Sequence, residues 1–178
     1  MNIDTHQKGF TLIEGLIVIT ILGIVTGFAV TNWGQLMAQK RVRASMETLY
    51  DTLKLARSES KKQRTNITVS FRNYGGTAPS WCYALSDIGN CDCRVVNACT
   101  INGTAAIQTD LINPSTLSVT NLSGVAGAKL ISFEGIRGTA SHSGSIEFTN
   151  NSASGTVSVS AMGFINNCSN TVTGYPSC

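Results

Sequence analysis

The sequence predicts an α+β protein, with one long amino-terminal α-helix packed on a carboxyl-terminal antiparallel β-rich domain. Residues 10–64 contain no proline and carry apolar side chains at helical spacing. Beyond residue 64 the composition shifts to Thr, Ser, Gly, Asn and Val in short alternating runs, which is typical of strands. A chain of 178 residues with 42% hydrophobic content has room for one such helix and one modest domain.

The first half of the helix, residues 10–33, is apolar or small-polar except for Glu14. At about 1.5 Å a residue it would be roughly 36 Å long, enough to cross a hydrocarbon core of about 30 Å. A secretory signal peptide would instead end its apolar run at a cleavage site. Here the helical pattern continues past residue 33, so we expect a retained transmembrane segment.

Glu14 argues against a plain membrane anchor. An ionised carboxylate costs on the order of 2.5 to 3.5 kcal/mol at mid-membrane, so such a residue needs a cationic partner.

The run KGFTLIE at residues 8–14 resembles the class III signal of type IV prepilins and type II secretion pseudopilins. The resemblance implies that residues 1–9 are a leader, which a prepilin peptidase removes by cutting between Gly9 and Phe10. It also implies N-methylation of Phe10, whose ammonium would pair with Glu14 of a neighbouring subunit and set the assembly register. Two features depart from the family pattern, namely Gly15 after the glutamate and the absence of a helix proline.

The second half of the helix, residues 34–64, is predicted to be amphipathic. Its apolar stripe is Val42, Met46, Leu49, Leu53 and Ala56, and its polar face holds Arg43, Glu47, Lys54 and Lys61. Residues 40–64 contain eight basic and three acidic residues, a balance of 8 − 3 = +5. A solvated face is the favoured interpretation, and contacts with lipid headgroups or with acidic faces of neighbouring subunits remain as alternatives.

The predicted β-rich domain covers residues 65–178. Its candidate strands are residues 66–73, 81–85, 117–121, 129–134, 145–149, 156–161 and 163–166. Turns are predicted at Gly75-Gly76, Asn102-Gly103, Asn113-Pro114 and Gly174-Tyr175-Pro176. In the first strand, alternation places Thr68 and Ser70 on a solvent-facing side.

Residues 133–138, 144–148 and 157–163 resemble the carboxyl-terminal half of the GspH/FimT-type domain. This family includes the minor pilins FimU and FimT and the minor pseudopilin GspH, so the resemblance implies a type IV pilin-like fold.

Six cysteines follow the apolar segment, and an even number in an exported domain predicts three disulfides. They are Cys82, Cys91, Cys93, Cys99, Cys168 and Cys178. We expect Cys168 to pair with Cys178, and the other four to pair among themselves without a bond between Cys91 and Cys93. A four-thiolate zinc site in that cluster is the alternative.

Catalytic signatures are sparse. His6 lies in the leader, and His142 stands in a Ser-rich loop without an orienting acid in sequence. No glycine-rich phosphate loop precedes a helix. We therefore predict neither an enzyme nor a bound cofactor or metal.

The resemblance implies a minor type IV pilin of the FimU type in a priming or tip complex, supporting motility, adhesion or DNA uptake. Its partners would be the prepilin peptidase, other minor pilins, the major pilin and the inner membrane, with a periplasmic domain that later reaches the pilus tip. One alternative is a FimT-like DNA-binding pilin, which is not favoured because residues 164–178 contain no basic residue. A minor pseudopilin of type II secretion is the other alternative.

Overall fold

The computed structural model describes residues 10–73, 81–106, 108–111, 116–120, 128–150 and 153–178. One helix, α1 (Leu12–Gln63), precedes the strands of this described part. These are β1 (Ile67–Asn73), β2 (Trp81–Ser86), β3 (Thr100–Ile101), β4 (Thr104–Ala105), β5 (Gln108–Leu111), β6 (Thr116–Thr120), β7 (Ala128–Phe133), β8 (Gly144–Asn150), β9 (Ala153–Val159) and β10 (Ile165–Cys168). The predicted α+β class, with a long amino-terminal helix and antiparallel strands, is confirmed.

The chain divides into two compact units between Met37 and Ala38. In the first unit, the described apolar side chains from Phe10 to Val25 are exposed. Within the described part of the chain, the structure contains no helix whose length and apolar character suffice to cross a membrane.

Helix α1 ends in a Schellman motif. Arg64 takes a left-handed conformation with φ of 53°, and the Thr65 N–H donates to the Ser60 carbonyl at 3.2 Å. Lys61 and Lys62 in the last turn complement the negative end of the helix dipole. The helix therefore stops one residue before the predicted end.

The second unit contains two four-stranded antiparallel sheets, with strand orders β5-β2-β1-β7 and β10-β9-β8-β6. A small hairpin, β3-β4, turns at Asn102 and Gly103, whose φ values of 52° and 73° are those of a type I′ turn. This confirms the turn predicted there. The turns predicted at Gly75-Gly76 and Asn113-Pro114 lie outside the described residues.

The core of the second unit lies where the helix meets both sheets. All five residues of the predicted apolar stripe have no exposed surface, so this prediction is confirmed. They pack in one cluster with side chains from both sheets: Ile67, Val69, Phe71, Tyr83, Leu85, Ile131, Phe133, Ile146, Phe148, Ala153, Val157 and Val159. Gly155 lets β9 approach the helix closely, since a Cβ there would collide with the Met46 side chain.

Strand β2 is buried on both faces. Tyr83 and Leu85 face the main core, while Cys82 and Ala84 belong to a second cluster with Cys91, Cys93 and Cys99. The prediction that Thr68 and Ser70 of β1 meet solvent is wrong, because both are buried. The Ser70 hydroxyl accepts a hydrogen bond from the Cys91 N–H at 3.2 Å. Residues 87–99 between β2 and β3, here called the cysteine-rich loop, therefore cover this face.

Candidate functional site

The predicted processing and assembly residues lie at the start of α1. Gly9 lies outside the described residues, whereas Phe10 is 82% exposed. Glu14 is an exposed residue in the first helical turn, where its N–H donates to the Thr11 carbonyl at 3.1 Å. A carboxylate is favourable there because the amino end of a helix is electropositive. None of the ion pairs found among the described residues involves Glu14.

Apolar side chains surround the described start of this helix. The large exposed ones are Phe10, Leu12, Ile13, Leu16, Ile17, Val18, Ile19, Ile21, Leu22, Ile24 and Val25. A helix that is apolar on all sides is stable when lipid or protein covers it. The described part of this segment is therefore an exposed apolar surface, with Glu14 as its one charged group.

A second contact site joins the carboxyl-terminal loop to the helix within the second unit. The Tyr175 hydroxyl donates to Glu47 Oε1 at 2.8 Å, and Arg43 Nε donates to the same oxygen at 2.9 Å. The hydrogen bonds from Arg43 and then Tyr175 lower the pKa of Glu47. Burial, followed by the Glu47 contact, raises the pKa of Tyr175. The Arg43 guanidinium also lies 5.7 Å from the centre of the Tyr175 ring.

Disulfides hold two loops of the second unit. In the structure Cys168 bonds to Cys178, the pair favoured by the sequence. Cys82 bonds to Cys93 and Cys91 to Cys99, so neither bond joins two cysteines that are consecutive in the sequence. With these bonds formed, the cysteines of the predicted alternative zinc site are not thiolates.

The cysteine-rich loop also contains a local ion pair. Arg94 donates to both carboxylate oxygens of Asp92. This contact with Arg94 lowers the pKa of Asp92 to about 2. The Asp87 carboxylate accepts the Asn102 N–H at 2.7 Å and ties the loop to the β3-β4 turn. Ile88, Val95 and Val96 are exposed on this loop.

A groove beside the carboxyl-terminal half of the helix is the third site. Arg57 Nε donates to the Gly138 carbonyl at 3.0 Å, and its guanidinium lies 5.4 Å from the centre of the Phe164 ring. The sequence does not predict this site, because its pattern predicts a strand over residues 163–166 that includes Phe164. Instead, Gly163 has a φ of 77° and forms a turn before β10. The sequence signal for this turn is the glycine directly before the aromatic residue Phe164.

His142 has one described polar contact, a 2.9 Å distance from its Nδ1 to the Ser141 hydroxyl. These neighbouring residues form an exposed pair in a loop. A catalytic triad requires a third, acidic group that orients the imidazole.

Comparison with known proteins gives two family matches. The family described as type II transport protein GspH matches residues 45–163, and the prokaryotic N-terminal methylation motif matches residues 4–30. Two crystal forms of the type IV minor pilin FimU from Pseudomonas aeruginosa are similar structures. The first has 17% identity and a TM-score of 0.47, covering 70% of this chain and 90% of that chain. The second has 18% identity and a TM-score of 0.46, with coverages of 71% and 87%. No curated protein matches the chain.

Proposed function

This chain belongs to the family of the type II transport protein GspH, and from that membership we propose that it is a minor type IV pilin of the FimU type. It joins other minor pilins in a priming or tip complex that starts pilus assembly, and so supports motility, adhesion or DNA uptake. The role is structural rather than catalytic. The observation that carries the proposal is the methylation motif at residues 4–30, which includes the start of helix α1 and its exposed apolar side chains.

The proposed maturation begins with a prepilin peptidase, which cleaves between Gly9 and Phe10 and methylates the new amino terminus. Before assembly, residues 10–33 hold the protein in the inner membrane and the rest of the chain is periplasmic. In the filament, the same apolar surface packs against the helices of other minor pilins and the major pilin. The exposed apolar side chains support this proposal, since each of these environments would cover them.

Glu14 sets the register in this proposal. A charge among apolar helices is stable when an opposite charge neutralises it, and the ammonium of Phe10 from a neighbouring subunit supplies that charge. Its place in the first turn, four residues from Phe10, brings the carboxylate to the end of the helix where a neighbour's amino terminus can reach it. Removing one member of such a pair leaves the other uncompensated.

The test is purification of tagged full-length protein from detergent-solubilised membranes, with mass spectrometry of its amino terminus and its partners. We expect a mature chain that starts at methylated Phe10 and brings other minor pilins. Glu14→Gln should keep the methylated terminus but lower pilin recovery by about ten-fold or more, because it removes a buried pair. Glu59→Gln makes the same change in the second half of the helix and should recover pilins normally.

Normal recovery with Glu14→Gln would remove the pairing role. A chain that starts at Met1 and comes alone would overturn the proposal as a whole.

A minor pseudopilin of type II secretion is the second candidate, favoured by the description of the matched family itself. The same purification separates the two, because a pseudopilin would bring components of a secretion system instead of pilus subunits. Direct DNA binding has less support, since residues 164–178 lack basic side chains.

A further inference from the structure

A groove of about 380 Å³ on the second unit lies between the helix and the segment at the start of β10. It is lined by Lys54, Arg57, Ser58, Lys61, Phe164 and Ile165. Three of these residues are basic, two are apolar and none is acidic. The groove therefore combines positive charge with apolar surface, and its lining shares no residue with the apolar start of the helix on which the proposed function rests.

Arg57 is fixed in this groove by contacts with two distant segments. Its Nε donates to the Gly138 carbonyl at 3.0 Å, and its Nη2 donates to the Met162 carbonyl at 3.3 Å. Its guanidinium also stacks near Phe164, at 5.4 Å from the ring centre. Both hydrogen-bond acceptors are neutral carbonyls, so the positive charge is held in place without being neutralised. A cation that is already ordered loses less side-chain entropy when it binds a partner.

Lys54 and Lys61 add two exposed charges on the same helix face. They lie three residues before and four residues after Arg57, the spacings that place helix side chains side by side. Neither lysine takes part in the ion pairs found among the described residues. The Lys54 ammonium lies 4.1 Å from the centre of the Tyr50 ring, a contact that keeps the charge. Three cations over about two turns, none of them in an ion pair found among the described residues, create a local positive potential.

The apolar part of the groove is exposed as well. Phe164 is 57% exposed, and nearby on the same segment Met162 is 69% exposed. Large apolar side chains beside ordered positive charge are characteristic of protein interfaces, where an apolar anchor is ringed by polar contacts.

We propose that this groove binds an acidic segment of another pilin subunit. Carboxylates of that segment contact Lys54 and Lys61, and an apolar side chain of the segment packs on Phe164. The identity of the partner as a pilin rests on the proposed function, whereas the acidic and apolar chemistry of the segment follows from the groove itself.

The dimensions and charge favour a protein segment over a nucleic acid. A groove of about 380 Å³ accepts a few side chains rather than a strand of nucleotides. Nucleic-acid affinity depends on neutralising many phosphates, on the order of six to ten in well-studied cases. The groove offers three cations, and the segment that begins at Phe164 continues without a basic residue to Cys178.

The first test measures binding of a short fluorescein-labelled peptide of Glu-Glu-Leu repeats to the full-length protein in detergent micelles. We expect saturable binding by fluorescence anisotropy. Lys54→Glu with Lys61→Glu should weaken it about ten-fold or more, since two attractive contacts become repulsive. Phe164→Ala should weaken it about five-fold by removing the apolar anchor.

Lys62→Glu is the control, because it reverses the charge of one lysine on the same helix at a position outside the groove. It should leave affinity within about two-fold. Absence of peptide binding, or an equal loss with Lys62→Glu, would overturn the proposal. Tighter binding of a labelled oligothymidine, lost in the Lys54 and Lys61 double variant, would also overturn it and assign the groove to phosphates.

The second test purifies the same variants from membranes and measures recovery of other pilins. The double lysine variant should lower recovery, while Lys62→Glu should not. Normal recovery would contradict a pilin as the occupant. If the peptide binds the groove but the wild-type chain recovers no pilins at all, the proposed function fails while the acidic chemistry of the groove stands.

Discussion

The phenolic oxygen of Tyr175 lies 2.8 Å from Oε1 of Glu47, a residue 128 positions earlier in the chain. Tyr175 belongs to the loop closed by the disulfide between Cys168 and Cys178. Glu47 lies on the polar face of the helix, where Arg43 donates to the same carboxylate oxygen. The contact therefore fastens the carboxyl-terminal loop to the helix.

Tyr175→Phe should lower the free energy of unfolding of the full-length protein by about 1 kcal/mol, the typical contribution of one hydrogen bond. The ring and its contact with Arg43 would be retained, so the loss reports the hydroxyl alone. Denaturant unfolding followed by circular dichroism measures the difference. Tyr50→Phe is the matched control, since it keeps the aromatic ring beneath Lys54. An equal effect of both substitutions would contradict a specific role for the Tyr175 hydroxyl.

The same contact should make stability depend on pH. Hydrogen bonds from Arg43 and Tyr175 lower the pKa of Glu47 in the folded state. Its stabilising effect is therefore fully present above the unfolded-state pKa, about 4.3, and is lost as pH falls through the folded-state value.

We expect wild type to melt at a higher temperature than Glu47→Gln at neutral pH, with the difference shrinking in acid below about pH 4. Melting curves at a series of pH values measure it. In an Arg43→Gln and Tyr175→Phe background, Glu47→Gln should change little. A difference that grows as the pH falls would refute the linkage.

Peptide mapping of unreduced protein should recover three linked pairs: Cys82 with Cys93, Cys91 with Cys99 and Cys168 with Cys178. Titration of denatured, unreduced protein should find no free thiol. Replacing Cys168 and Cys178 together by serine should lower the free energy of unfolding by about 2 to 4 kcal/mol. Recovery of a bond between Cys82 and Cys91 would show that the connectivity of the cysteine-rich loop differs.

Gly155→Ala should destabilise the second unit by about 1 to 3 kcal/mol, the usual cost of overpacking. The new Cβ would collide with the thioether of Met46, which has no exposed surface. Met46→Val shortens that side chain, so the combined variant should lose less stability than the sum of the two single changes. Denaturant unfolding of the four proteins measures this coupling. Strict additivity would show that Gly155 and Met46 do not limit how closely β9 approaches the helix.

The sequence predicted those elements in which one periodic pattern dominates. The helical stripe from Val42 to Ala56 and the strands beginning near Ile67 and Trp81 show clear periodicity, and the structure has them within one or two residues. Strands β3, β4 and β5 were missed, since they contain two to four residues each and no full apolar alternation. The turn between β3 and β4 was nevertheless found from its Asn-Gly pair.

Contacts between distant segments cannot be predicted from sequence patterns. Ser70 is buried because the cysteine-rich loop folds over β1. The alternation of apolar and polar residues within β1 contains no information about that loop. The approach of Phe164 to Arg57 depends on the order of the strands and on the turn at Gly163. The roles of Glu14 and of the leader are predicted from a local motif. They stay predictions, because they involve other subunits and a peptidase that a single chain does not contain.

The buried helix stripe stays partly exposed while the chain is being synthesised. Val42 to Ala56 leave the ribosome before the strands that cover them, since the core also needs Phe133 and Val159. At about 5 to 20 residues per second, the chain from Ala56 to Val159 takes roughly 5 to 20 s to synthesise. During that interval the apolar helix face has only part of its cover, from strands made earlier such as β1. The core around the helix stripe is therefore complete only once β9 has been synthesised.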